Sequence, residues 1–340
     1  MRSFLPLPDV VEVSRGVLGR VGDLIAGFFS PKKVLFLSGS GPTRRILSSV
    51  LDGYSGDFRC GEVECNSKDE VERLSSFTGD VDLIVGVGGG KVLDVAKVLG
   101  DLSGVDVIAV PTTLSHDGIA SPIAVLVDGK KGESVLCKPP KGVFVDLGVV
   151  SSAPLDTLKA GVGDLLSNLS AIEDWKLARD EVGMEYYAFS VGVSKASAEM
   201  LLMCKGDILD NDFVETLAEG LILSGTAMRL AGSSKPASGA EHLISHSLDL
   251  LLDRPARHGL QVALGLVFIS WLRDRDPLGL RNFLASKGVP TTPEELGIPL
   301  DVLEEAILLA PTVRDGRFTI LHHLSYTRED VKRWMGEVWG

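Results

Sequence analysis

Between Lys33 and Pro111 the chain alternates short apolar runs with amphipathic stretches, and each run ends in glycine or proline. Lys33 to Ser38 (KVLFLS) leads into Gly39-Ser40-Gly41-Pro42. Val81 to Val87 (VDLIVGV) leads into Gly88-Gly89-Gly90, and Val105 to Val110 (VDVIAV) into Pro111. A run that is apolar throughout is a strand covered on both faces, the signature of a parallel sheet. Phe58 to Cys65 reads as a further strand, and Val125, Leu126 and Val143 to Val145 as later ones. Arg44 to Leu51, Lys68 to Phe77 and Lys91 to Leu99 read as the helices between. Parallel strands need crossover connections, so the expected unit is an α/β, doubly wound, Rossmann-like parallel sheet over residues 1–150.

After Ser151 the spacing of apolar residues becomes three and four. Ser151-Ser152 before Pro154 is a helix-start signal. Leu155 to Arg179, Gly183 to Cys204, Asp212 to Leu230, Gly239 to Leu252 and Pro255 to Leu272 read as helices, and several prolines divide shorter ones beyond. Residues 151–340 are therefore expected to form an all-helical domain. The cleft between two such domains is the expected place for a small ligand.

Composition narrows the partners. A length of 340 residues suits about two domains. The net charge of −12 argues against nucleic acid or an anionic membrane as main partner, while leaving room for a locally basic pocket. With 6% aromatic residues a base-stacking surface is not expected. The stretch Gly259 to Leu272 is too short to span a bilayer, and Met1 to Val11 lacks the basic start and apolar core of a secretory signal. Four cysteines (Cys60, Cys65, Cys137, Cys204) without a CxxC pair read as free thiols of a reducing cytoplasm. The apolar helical half is able to supply an interface, so a homo-oligomer is expected.

Three polar constellations carry the chemistry. Gly86-Val87-Gly88-Gly89-Gly90-Lys91 joins a strand to a helix, where glycine lets backbone approach a phosphate and the helix end offers free N–H groups. It is neither a P-loop nor a strict GxGxxG, and a purely structural turn stays open. Pro111-Thr112-Thr113-Leu114-Ser115-His116-Asp117 follows a strand at the edge where open α/β sheets bind ligands; it also reads as a capping turn. Asp164 is an acid in an apolar helix start. His242 and His246 are four apart and share a helix face, and His258 opens another helix. One aspartate with two or three histidines suits a divalent metal with an open position, although such residues also serve as core hydrogen-bonders.

At these residues a family resemblance appears. Gly88-Gly89-Gly90-Lys91-Val92-Leu93-Asp94-Val95-Ala96-Lys97 resembles the GGG-x-x-x-D-x-A-K segment of the superfamily of glycerol dehydrogenases, iron-type alcohol dehydrogenases and dehydroquinate synthases. Within it, the segments Pro111 to Pro122, Ala160 to Asn168, Lys235 to His246 and Arg314 to Leu321 resemble the archaeal sn-glycerol-1-phosphate dehydrogenases. The likeness spans roughly residues 10–325, with motifs in matching order.

The resemblance implies that Gly88, Gly89, Gly90, Lys91 and Val92 hold the pyrophosphate of NAD(H) or NADP(H). It implies that Thr112, Thr113, Leu114, Ser115 and Ser121 contact its nicotinamide side. Asp164, His242 and His258 are implied as ligands of one Zn2+ per subunit, with Asp117, Asp164 and His246 contacting substrate. The implied reaction interconverts dihydroxyacetone phosphate and sn-glycerol 1-phosphate, which supplies archaeal membrane phospholipids. His246 is the expected proton relay, with Asp117 as rival. Lys235, Arg314 and Arg317 are candidates for the substrate phosphate. Glu62, Glu64 and Asn66 are candidates for choosing between cofactors. Relatives commonly carry H-G-E at the third ligand; here Leu260 and Gln261 follow His258-Gly259, a departure that bears on ligand tuning. Rival readings are a glycerol dehydrogenase on the unphosphorylated polyol, a dehydroquinate synthase-type lyase, or a non-enzymatic binder on the same fold.

Overall fold

The computed structural model describes residues 7–129, 131–274 and 277–340. Residues 1–6, half of the segment read for a leader, lie outside them. Eight strands are described: β1 (Val10–Ser14), β2 (Lys33–Ser38), β3 (Asp57–Glu62), β4 (Leu83–Gly88), β5 (Asp106–Pro111), β6 (Ile123–Asp128), β7 (Lys131–Leu136) and β8 (Gly142–Asp146). Between them run the helices α1 (Val21–Phe28), α2 (Pro42–Asp52), α3 (Lys68–Ser75) and α4 (Gly90–Ser103). After β8 come α5 (Leu147–Ser151), α6 (Leu155–Leu166), α7 (Asn168–Val182), α8 (Ala188–Met203), α9 (Asn211–Ala231), α10 (Ala240–Leu251) and α11 (His258–Leu272). Then follow α12 (Pro277–Ser286), α13 (Leu300–Leu309), α14 (Ile320–His323) and α15 (Arg328–Trp339).

Six strands form one fully parallel sheet in the order β1-β8-β5-β4-β2-β3. Alternation along each strand feeds two cores. Val34 and Phe36 of β2 pack with Ile25 of α1 and Val50 of α2, while Leu35 and Leu37 face Val71 of α3 and Val95 of α4. Helices thus cover both faces, and the sheet is doubly wound. The neighbouring strands β2 and β4 send their helices, α2 and α4, to opposite faces, which opens a crevice at their carboxyl ends. Residues from Leu147 onward are helical and share a third core centred on α6, α9, α10 and α11.

Three expectations need correction, and one strand was not anticipated. Val125 and Leu126 belong to β6, which pairs antiparallel with β7 in a separate hairpin rather than joining the main sheet. The edge strand β1 escaped the sequence reading because its side chains are only half covered. The expected helix Leu155 to Arg179 divides at Ser167, whose hydroxyl donates to the Asp164 carbonyl at 2.6 Å and competes with the helical ladder. The helix expected from Gly183 begins only at Ala188, since Gly183 takes a left-handed conformation that caps α7. No helix among the described residues is long and apolar enough to cross a membrane.

Candidate metal and cofactor site

Asp164 and His258 meet because α6 and α11 touch backbone to backbone. A Cβ on Gly163 would lie 2.2 Å from the Gly259 carbonyl oxygen, and one on Gly259 would lie 2.1 Å from the Ala160 carbonyl oxygen. Only glycine permits that approach. His242 comes from the first turn of α10, which packs on α11. One ligand atom from each of Asp164, His242 and His258 falls within 4.8 Å of the others. The His242 Nε2 stands 3.7 Å from Asp164 Oδ1, and the His242 and His258 ring centres are 5.1 Å apart.

Each of the three is tied from behind. His242 Nδ1 lies 3.0 Å from Glu241 Oε1, and His258 Nδ1 lies 3.0 Å from the Ser245 hydroxyl. The Asp117 N–H donates to Asp164 Oδ2 at 2.9 Å. The Nε2 atoms and Oδ1 are left facing one another, as metal ligands require. Two imidazoles and a carboxylate in this arrangement fit a divalent cation with an open position. His246, Asp249 and His258 form a second grouping. The first is better prepared, because Asp249 is engaged by the Gln261 amide at 2.9 Å and His246 has no hydrogen-bonded partner among the described residues. Leu260 stands where the Glu of H-G-E was expected, and Gln261 after it orders the α10–α11 connection through Asp249 and the Ala256 carbonyl.

Charge follows from burial. For His242, burial opposes protonation, but Asp164 and Glu241 outweigh it and raise the ring to about 9. Such a proton occupies the place a cation would take. Burial, then the charge of His242, lowers His258 to about 3. Burial lowers His246 well below the usual imidazole range, helped by His258, His242, Arg314 and Arg317. Burial first, and then the Asp164 carboxylate, raises Asp117 to about 7. The Asp117 carboxylate accepts from Ser224 at 2.8 Å, and Ser224 is held by Asn168 at 3.0 Å.

The glycine turn joins β4 to α4. Gly89 precedes α4, so the first N–H groups of this 14-residue helix have no intrahelical partner. Thr113 Oγ1 would lie 3.2 Å from a Cβ on Gly89. Beside it a cleft of about 620 Å³ is lined by Pro42, Thr43, Thr112, Thr113, Ser152 and Pro154. Free amides, side-chain hydroxyls and an open crevice at the point where the strand order reverses fit a dinucleotide.

The remaining expected residues fall as follows. Lys91 sends its ammonium to the Glu64 carbonyl at 2.6 Å, and Val92 is buried beneath Gly88, so each can offer the turn only backbone. Leu114 is wholly buried in the helical core. Ser115 is half-buried in the turn before His116. Ser121 is buried, with its hydroxyl donating to the Ile123 carbonyl at 3.2 Å. Asn66 is committed to the Val125 carbonyl, while Glu62 faces Arg44 at 3.5 Å on the surface. Arg314 and Arg317 lie within electrostatic reach of His246, and Lys235 of Arg317. Arg317 donates to the Ser238 carbonyl at 2.9 Å and to the Ser234 hydroxyl. Arg314 has no hydrogen bond or ion pair among the described residues, and its burial lowers its pKa. His322 is structural, closing the cap of α14 and bonding the Pro311 carbonyl. Sequence reasoning missed Glu241, Ser245, Ser224 and Asn168. The available signal was local: Glu241 adjoins His242, Ser245 follows it by three and Asn168 follows Asp164 by four, while nothing in the sequence marks Ser224 on α9.

A family model described as iron-containing alcohol dehydrogenase matches residues 12–154. A glycerol-1-phosphate dehydrogenase (NAD(P)+) from Thermococcus kodakarensis is 43% identical, covering 97% of this chain and 96% of that protein. One of the same name from Metallosphaera sedula is 37% identical, covering 94% and 92%. Among solved structures, a glycerol dehydrogenase from Schizosaccharomyces pombe superposes with a TM-score of 0.81 at 23% identity, covering 99% and 90%. That likeness speaks to fold.

Proposed function

The chain belongs to the glycerol-1-phosphate dehydrogenase family of oxidoreductases, and from that premise we propose that it interconverts dihydroxyacetone phosphate and sn-glycerol 1-phosphate. The cofactor is NADH or NADPH, one zinc ion per subunit serves the reaction, and the cytoplasm is the setting. The product supplies the glycerophosphate backbone of archaeal membrane phospholipids, as the resemblance implies. Residues 1–150 are assigned to the dinucleotide and residues 151–340 to metal and substrate.

The observation that carries the reading is the convergence of Asp164, His242 and His258, with the buried and unpaired Arg314 within electrostatic reach of the neighbouring His246. When bound at these residues, a divalent cation supplies Lewis acidity to a ketone oxygen and a nicotinamide supplies hydride. Everything else falls to the protein's own side chains. Gly88, Gly89 and Gly90 present backbone N–H groups to a pyrophosphate. Thr112, Thr113 and the Leu114–Ser115 backbone line the path toward the nicotinamide, with Ser121 bracing that loop from within. Asp117, fixed by Ser224, faces a substrate hydroxyl. His246, one turn from His242 and without a protein partner, passes the proton that the reduced oxygen requires. Arg314 and Arg317 hold the phosphate, with Lys235 as a more distant support. A phosphate supplies the counter-charge that Arg314 lacks; a free polyol leaves it bare.

The deciding experiment is reduction of dihydroxyacetone phosphate with NADH and with NADPH, followed by identification of the glycerol phosphate enantiomer. The sn-1 product is expected. Preference for unphosphorylated dihydroxyacetone overturns the reading in favour of a glycerol dehydrogenase. Arg314→Ala is expected to raise the KM for the phosphorylated ketone at least tenfold while altering turnover of dihydroxyacetone by less than about threefold.

A further inference from the structure

The loop Thr112 to Asp117 contains one ring with no role so far, that of His116. Its Nδ1 accepts the Gly118 N–H at 3.0 Å. A nitrogen that accepts carries no proton, which leaves the ring's N–H on Nε2. That N–H meets no acceptor among the described residues.

The ring is wedged between two glycines. A Cβ on Gly90, the first residue of α4, would lie 2.3 Å from His116 Nε2, and one on Gly118 would lie 2.4 Å from Nδ1. The free N–H therefore stands beside the unpaired amides that open α4. The N–H of the next residue, Asp117, donates to Asp164 Oδ2 at 2.9 Å, which ties the ring's own loop to the metal ligands. That loop thus touches both the glycine turn and the metal ligands. Its position is also fixed to α4 itself. The wholly buried Lys97 ammonium donates to the Gly118 carbonyl at 2.9 Å and to the Ile123 carbonyl, with Asp94 at 3.0 Å as its counter-charge.

We propose that His116 is a cofactor-binding residue whose Nε2–H donates to an oxygen on the diphosphate-to-nicotinamide-ribose stretch of the dinucleotide. This rests on the reading that the dinucleotide lies over Gly88 to Gly90.

The test is NADH titration of zinc-loaded protein by fluorescence, with zinc content, for wild type, His116→Ala and His116→Gln. His116→Ala is expected to keep one zinc per chain and to raise the NADH dissociation constant about tenfold (~1.4 kcal/mol). Its KM for dihydroxyacetone phosphate at saturating NADH stays within twofold, and His116→Gln, which keeps an N–H, recovers most of the loss. An unchanged dissociation constant overturns the proposal. So does loss of zinc, which makes the ring a support of the metal site, or a raised substrate KM alone, which makes it a substrate donor. Failure of wild type to bind either NADH or NADPH overturns the cofactor reading itself. A readout without substitution is the 15N resonance of His116 Nε2 in wild type, expected to shift on adding NADH; an unmoved resonance overturns the proposal.

Discussion

Glu241 governs how well the candidate metal site works, although it is not one of the three converging ligands. It is wholly buried, it fixes His242 through Nδ1, and its charge is held ionised against burial by that same ring. Removing the charge while keeping the shape, as in Glu241→Gln, is expected to weaken zinc affinity about 10- to 100-fold, measured by competition with a chromophoric chelator. Unchanged affinity contradicts the role given to it. Asp164→Asn, His242→Ala and His258→Ala are expected to lose bound zinc and activity together. The three converging residues were legible as candidates, because Asp164 is a lone acid in an apolar helix, His242 shares a face with His246 and His258 opens the next helix, and a family resemblance joined them. Glu241 and Ser245 were not legible as their partners. Which ring nitrogen a neighbour engages depends on rotamers set by packing, and spacing does not encode that.

At the scale of elements, the contact between α6 and α11 decides whether the site assembles. Gly163→Ala drives a methyl into the Gly259 carbonyl, and backbone cannot yield as a side chain does. A loss of about 1–3 kcal/mol in urea unfolding is expected, with weaker zinc binding in the folded protein. The start of α3 gives a pH prediction. Ser67 caps the helix, and Glu70 joins Arg73 at 2.7 Å while accepting the Glu64 N–H at 2.7 Å. Arg73 leads in holding the Glu70 carboxyl below its ordinary 4.5, with burial working against it. A depressed folded pKa means stability that is present above pH 4.5 and lost as pH falls through the folded value. Glu70→Gln is therefore expected to cost about 1 kcal/mol at pH 7, modest because Arg73 is exposed to solvent. The gap from wild type should shrink below pH 4.5; a gap independent of pH contradicts the assignment. The buried strands β2, β4 and β5 were readable because a strand covered on both faces writes an unbroken apolar run. The edge strand β1 and β7, the second strand of the hairpin, were not, since poorly covered strands leave a pattern that loops share; Val125 and Leu126 marked β6 as a strand but not its antiparallel partner.

At the scale of the whole molecule, a parallel sheet sets out a glycine turn and the helices an aspartate and two imidazoles, with the loop through His116 and Asp117 touching both. A cation bridging α6, α10 and α11 stabilises only the folded chain. Its removal is expected to cost about 3–4 kcal/mol at zinc concentrations 100- to 1,000-fold above the dissociation constant, read as a lower midpoint of thermal unfolding after chelation. The helical half also leaves large apolar side chains such as Phe189 and Met203 exposed, and light scattering is expected to give a mass above the 36.2 kDa of one chain. The division into sheet and helices was legible from the change of period near Ser151, whereas the meeting of the two depends on contacts far apart in sequence. The most direct measurement is NADH oxidation driven by dihydroxyacetone phosphate, followed before chelation, after chelation and after zinc is restored, with metal content determined at each stage. Activity should track one zinc per chain, vanish with its removal and return with it. Undiminished hydride transfer in metal-free protein contradicts the account.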